Sequence, residues 1–117
     1  EESCSTLMPN NHNLSVSISP SQMLALARIE VHYFIHQNFL KPNVLLDEIA
    51  AISDKPAFII QGRYDVVCPI YSADKLSNLW PKARYQIIDA AGHSALEPGI
   101  QSALINATEK MKNLGNF

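Results

Sequence analysis

The apolar positions of this chain fall into two regimes. Between residues 20 and 42 they recur at the three-to-four spacing of one helix face, as Met23, Leu24, Ala27, Val31, Phe34 and Ile35. The start of that helix is well punctuated. Ser19 can cap it, Pro20 suits its first position, and Gln22 stands where the partner of a capping box belongs. Pro42 is expected to stop it. A second, shorter helix is predicted over Val44 to Ile52, with Leu45, Leu46, Ile49 and Ile52 as its buried stripe. Before these helices, residues 1–18 are polar and irregular, loosest around Asn10 to Asn13.

The texture changes at Asp54-Lys55-Pro56. From there the pattern reads as a strand over 57–61, a helix over about 72–79, a strand over 84–88 and a helix over about 98–113. Pro98 opens the last helix, and Ile100, Leu104, Ala107 and Met111 mark its expected inner face. Strands alternating with helices imply an α/β fold with parallel strands covered on both faces. Two strands make a poor core, so a larger sheet is expected to complete them.

Each strand runs into a loop that carries chemistry. Ala57 to Gln61 leads into Gly62-Arg63-Tyr64-Asp65, and Arg84 to Ile88 leads towards Ala91-Gly92-His93-Ser94. Functional groups of open parallel sheets collect beyond the carboxyl ends of the strands, where Asp65 and His93 fall. Neighbouring βα loops can bring an acid and an imidazole together whatever their separation in sequence. A buried carboxylate that holds one ring nitrogen leaves the other free to take the proton of an attacking serine. The order Asp then His, with a serine expected upstream, is that of the α/β-hydrolases. No G-x-S-x-G turn occurs in the 117 residues, whose glycines are Gly62, Gly92, Gly99 and Gly115. The chain therefore reads as the back half of a hydrolase, with base and orienter but no nucleophile, and inactive alone.

Other candidates are weaker. Ser94 adjoins His93 too closely to serve it and reads as a structural hydroxyl, while Cys68 reads as packing near the site. His32 and His36 have an i, i+4 spacing that can bind zinc, but no third ligand accompanies them. Arg63 is expected in an ion pair. Glu30, among Leu26, Tyr33 and Phe34 on the first helix, is costly unless it meets a cation, either Arg28, a lysine or a ligand amine.

Composition narrows the class further. A net charge of −2 gives no electrostatic case for nucleic acid or an anionic membrane, and no apolar stretch reaches the length of a membrane span. Two cysteines, Cys4 and Cys68, are too few for a disulfide framework, so reduced thiols in the cytoplasm are expected. The opening Glu1-Glu2 in place of Met suits an excised piece.

Three motifs resemble the proline iminopeptidase (prolyl aminopeptidase) family of α/β-hydrolases. They are Ala27-Arg28-Ile29-Glu30 with His32-Tyr33-Phe34, Gln61 to Pro69, and Ala91-Gly92-His93-Ser94-Ala95 with Glu97-Pro98-Gly99. The resemblance implies a helical cap ending over residues 1–52 and the C-terminal part of a hydrolase core over 53–117. It implies release of N-terminal proline from peptides through an acyl-enzyme, without cofactor or metal. Asp65 and His93 would be catalytic, with Glu30 and Glu1 binding the substrate's charged imino group. The readings still open beside it are another α/β-hydrolase acting on esters and a non-catalytic binding domain on the same scaffold.

Overall fold

A computed structural model describes residues 5–7 and 19–113. Glu1, Cys4 and the stretch Asn10 to Asn13 lie outside the described residues. The described residues form two compact units, 19–48 and 5–7 with 49–113.

In the first unit, α1 spans Pro20–Ile35 and opens with the expected capping box. The Gln22 amide donates to Ser19 Oγ at 3.3 Å and the Ser19 amide to Gln22 Oε1 at 2.9 Å. Such a cap is worth about 1 kcal/mol. The helix ends seven residues before Pro42, with His36 as its C-cap. There the His36 Nδ1 donates to the His32 carbonyl at 2.7 Å, the acceptor that the His36 amide would use in a continued helix. That amide turns to the Phe34 carbonyl. A 3₁₀ turn over Gln37–Phe39 follows, with left-handed φ of 52°, 55° and 57°. Such backbone costs on the order of 1 kcal/mol per residue. The turn is held by Phe39, stacked on the His36 ring at 5.1 Å and edge-on to Tyr33 at 5.6 Å.

The second predicted helix is shorter than its pattern. α2 spans only Val44–Asp47, and a separate 3₁₀ turn covers Ile49–Ala51. Of the expected stripe only Ile49 is buried, whereas Leu45 and Ile52 are exposed. The apolar face of α1 is also exposed, with Phe34 67 % open to solvent. Periodicity identified that face, but no described residue buries it.

The second unit is a βαβα run. β1 (Ala57–Gly62) and β2 (Ala83–Ile88) pair in parallel, in a register that sets Ala57 opposite Ala83 and Gly62 opposite Ile88. α3 (Ile70–Leu79) packs against both strands, and α4 (Pro98–Asn113) against β1. At the entrance to the sheet the Trp80 indole donates to the Lys55 carbonyl at 2.9 Å. β1 is at least half-buried along its whole length, as a strand covered on both faces should be. β2 departs from that expectation, since Arg84, Gln86 and Ile87 are exposed. It has a single strand neighbour among the described residues, and Arg84 lies over the Phe58 ring opposite it at 5.6 Å. The buried stripe of α4 is Ile100, Ala103 and Ala107, with Leu104 exposed. Small residues at 103 and 107 let the helix approach β1 closely, and the larger Leu104 is turned outward.

Candidate functional site

The parallel register delivers the two loops to each other. Beyond Gly62 and Ile88 the chains stay tied, because the Arg63 amide donates to the Ile88 carbonyl and the Tyr64 amide to the Ala91 carbonyl, both at 3.0 Å. Gly62 is required at this crossing. A Cβ there would stand 1.9 Å from the Gly92 carbonyl oxygen and 2.8 Å from that of Ala91.

Asp65 and His93 meet at this point. His93 Nδ1 lies 3.0 Å from Asp65 Oδ2, with the Asp65 side chain only 7 % exposed and that of His93 39 %. The carboxylate is saturated with donors. Oδ1 accepts from the Val67 amide at 3.0 Å and the Cys68 amide at 2.8 Å, and Oδ2 accepts from Gln61 Nε2 at 3.1 Å as well as from His93. Burial by itself raises the Asp65 pKa. The hydrogen bonds from the Cys68 amide, His93 and Gln61 together outweigh it and hold the carboxyl below the usual range.

A carboxylate can only accept, so Nδ1 of a neutral His93 carries the proton and Nε2 is left as the basic atom. Nε2 makes no hydrogen bond among the described residues, and the ring is partly open to solvent. An oriented imidazole with a free basic nitrogen can accept a proton from an approaching hydroxyl and later return it.

The remaining candidates separate from this pair. Ser94 Oγ accepts from the Leu96 amide at 3.2 Å, a local turn bond. Cys68 is a free, exposed thiol, so it takes part through its backbone and not, as expected, by packing. Arg63 pairs with Asp89, its Nε 2.7 Å from Oδ1. His32 and His36 have ring centres 4.7 Å apart, and no group of three or more metal-binding side chains occurs among the described residues. Glu30 is half-buried while the other residues of α1 are exposed, and it makes no ion pair with Arg28 or any other described residue. Glu1 lies outside the described residues.

Three residues escaped the sequence reading. Gln61 ends the apolar run of β1 and braces Asp65. Glu97 is buried, its Oε1 accepting from the Gly92 amide at 2.7 Å and its Oε2 from the Leu7 amide at 3.3 Å. The Ser5 carbonyl accepts from the amides of His93 and Ser94 at 2.8 and 2.7 Å. The signal in the sequence is that Gln61 and Glu97 lie within the two motifs that resemble the iminopeptidases, whereas nothing local marks Ser5.

The chain is 46 % identical over 109 residues to a proline iminopeptidase of Arabidopsis thaliana, covering 92 % of this chain and 29 % of that protein. It is 51 % identical over 87 residues to a proline iminopeptidase of Xanthomonas citri, covering 74 % of this chain and 28 % of that protein. The chain is homologous to the proline iminopeptidases. One from Neisseria gonorrhoeae retains 40 % identity over 87 residues. No family model matches the chain. The chain spans less than a third of the length of these iminopeptidases. The motifs that resemble proline iminopeptidase at Gln61 to Pro69 and Ala91 to Gly99 are the two loops that meet at Asp65 and His93. Among the described residues no helix is long and apolar enough to cross a membrane.

Proposed function

We propose that this chain supplies the base, its orienter and part of the amine-binding site of a serine aminopeptidase that releases N-terminal proline from peptides. The observation that carries the reading is the 3.0 Å contact between His93 Nδ1 and a donor-saturated Asp65. In this scheme Asp65 holds the ring and stabilises its imidazolium. His93 Nε2 takes the proton of a serine hydroxyl as that oxygen attacks the prolyl carbonyl, and returns it to the departing amine. Water then reacts with the acyl-enzyme by the same route, with His93 again as base. The serine and the oxyanion-binding amides belong to the part of the α/β-hydrolase that the chain does not span. Residues 53–117 are read as the closing part of its core and residues 1–52 as the end of a helical cap. Glu30, with Glu1, holds the charged imino group, since a half-buried carboxylate such as Glu30, which has no ion-pair partner among the described residues, favours a cationic ligand.

Two measurements test this. The isolated 117-residue chain should not hydrolyse a proline-amide chromogen, and turnover above buffer would refute the division of labour. In a full-length enzyme carrying this sequence, Glu30→Gln should raise KM for proline amides about 10-fold or more, as expected for loss of a charge-assisted hydrogen bond. Hydrolysis of simple esters should be spared. Equal losses on both substrates would remove the amine-binding role and favour an esterase.

A further inference from the structure

We propose that Glu97 is a positioning residue for His93, its carboxylate clamping the histidine loop to the segment at residues 5–7. The inference deepens the proposed function and rests on it for its kinetic consequence, although the clamp itself is a matter of geometry. Glu97 is 7 % exposed and has no cationic partner among the described residues. A buried carboxylate in that state is costly unless backbone donors replace water, and an apolar side chain would fill the space more cheaply. What the carboxylate achieves is specific to the loop. Three consecutive amides, those of Gly92, His93 and Ser94, are all held, the first by Glu97 Oε1 and the other two by the Ser5 carbonyl. Glu97 Oε2 receives the Leu7 amide, so one side chain joins both halves of the clamp.

The clamp is closely fitted and anchored. A Cβ at Gly92 would lie 3.2 Å from each of Glu97 Oε1, the Leu7 nitrogen and the Ser5 oxygen, leaving no slack around that residue. Glu97 also donates its amide to the Ser94 carbonyl at 3.1 Å, and its carbonyl accepts the Gln101 amide at 2.9 Å as the first bond of α4. The helix therefore fixes the carboxylate, the carboxylate fixes the loop, and the loop presents the imidazole to Asp65.

The test uses the full-length enzyme and the isosteric variant Glu97→Gln. Its amide can still accept from Gly92 but presents a donor to the Leu7 amide. We expect a folded protein with kcat for a proline amide lowered about 10-fold and KM within about 2-fold, in keeping with a small misplacement of a catalytic group. The low-field Nδ1 proton resonance of His93 should broaden or vanish. A folded variant with wild-type kcat and an unchanged resonance would overturn the clamp, as would a lower Tm with both of these intact. If Glu97→Gln fails to fold, Glu97→Asp, which keeps the charge but shortens the reach, is read in the same way. His93→Ala run in parallel separates the two claims. Turnover surviving in that variant refutes the aminopeptidase reading, whereas its loss with Glu97→Gln unimpaired refutes only the positioning role.

Discussion

Replacing Gly62 by Ala is the sharpest perturbation of the two-loop crossing. The new Cβ would meet the Gly92 carbonyl oxygen at 1.9 Å, and both atoms belong to main chain or are fixed to it, so no rotamer relieves the overlap. Carbon and carbonyl oxygen approach ordinarily to about 3.3 Å, so the two loops must separate by about 1.4 Å. Neither the Tyr64 amide bond to Ala91 nor the His93–Asp65 bond, each 3.0 Å long, survives such a shift. Overpacking of about 1–3 kcal/mol plus two hydrogen bonds near 1 kcal/mol each gives a destabilisation of about 3–5 kcal/mol. Against a typical stability of 5–15 kcal/mol the protein stays largely folded. Activity should fall about 100-fold or more, the usual consequence of moving a catalytic group by an ångström. Urea denaturation and turnover of a proline amide by the full-length enzyme measure the two effects. Gly99→Ala is the internal control, because its Cβ would meet only Ile88 Cγ2, the end of a side chain, at 2.7 Å, and should cost far less. A Gly62→Ala enzyme with kcat within 3-fold of wild type and an unchanged denaturation midpoint would refute the crossing as the determinant of the site.

Two further outcomes bear on Asp65. Asp65→Asn offers one acceptor oxygen to four donors and no longer selects the Nδ1–H tautomer, so kcat should fall about 10³–10⁴-fold with little change in KM, read from proline-amide kinetics. A carboxyl held below its unfolded pKa of about 3.9 stabilises the fold fully above that value and loses the contribution as the pH falls through the lower folded value. Acid denaturation should therefore start from a higher plateau in the wild type than in Asp65→Asn, and the difference should shrink at the lowest pH. Parallel curves across the acid range would refute this contribution.

What the sequence revealed was whatever its local signals determine. The strands at 57–61 and 84–88 are found as β1 (Ala57–Gly62) and β2 (Ala83–Ile88), and the capping box at Ser19 and the start at Pro98 are as expected. The meeting of Asp65 and His93 was legible for the same reason, since consecutive parallel βα loops leave little choice. Illegible were features decided by a side chain acting on backbone. At the end of α1 the His36 ring reaches a carbonyl four residues back, a bond that helical periodicity does not encode. The inner face of α4 turned on close approach to β1, which favours Ala103 over Leu104 although both fit a helical stripe. Glu97 was hidden most deeply, because one of its partners is five residues away and the other ninety.

These contrasts bear on where the rigidity of the site originates. Among the described residues the buried apolar ones, Ile49, Ala91, Ile100, Ala103 and Ala107, are mostly small. Apolar burial is non-directional and does not by itself hold two loops to the tolerance of a hydrogen bond. The parallel register sets Gly62 opposite Ile88, which places Asp65 three residues and His93 five residues beyond the last paired positions. From there polar contacts take over, with four donors on one carboxylate and three loop amides held in succession. Hydrogen bonds are directional where apolar contacts are not, so they can fix an imidazole within a few tenths of an ångström while contributing little net stability each. It follows that stability and catalytic geometry should separate on mutation. Changes at Phe34 or Leu104, on exposed apolar faces, should leave the Asp65–His93 pair intact, whereas small changes at Gly62, Gln61 or Glu97 should disturb it before the fold is lost.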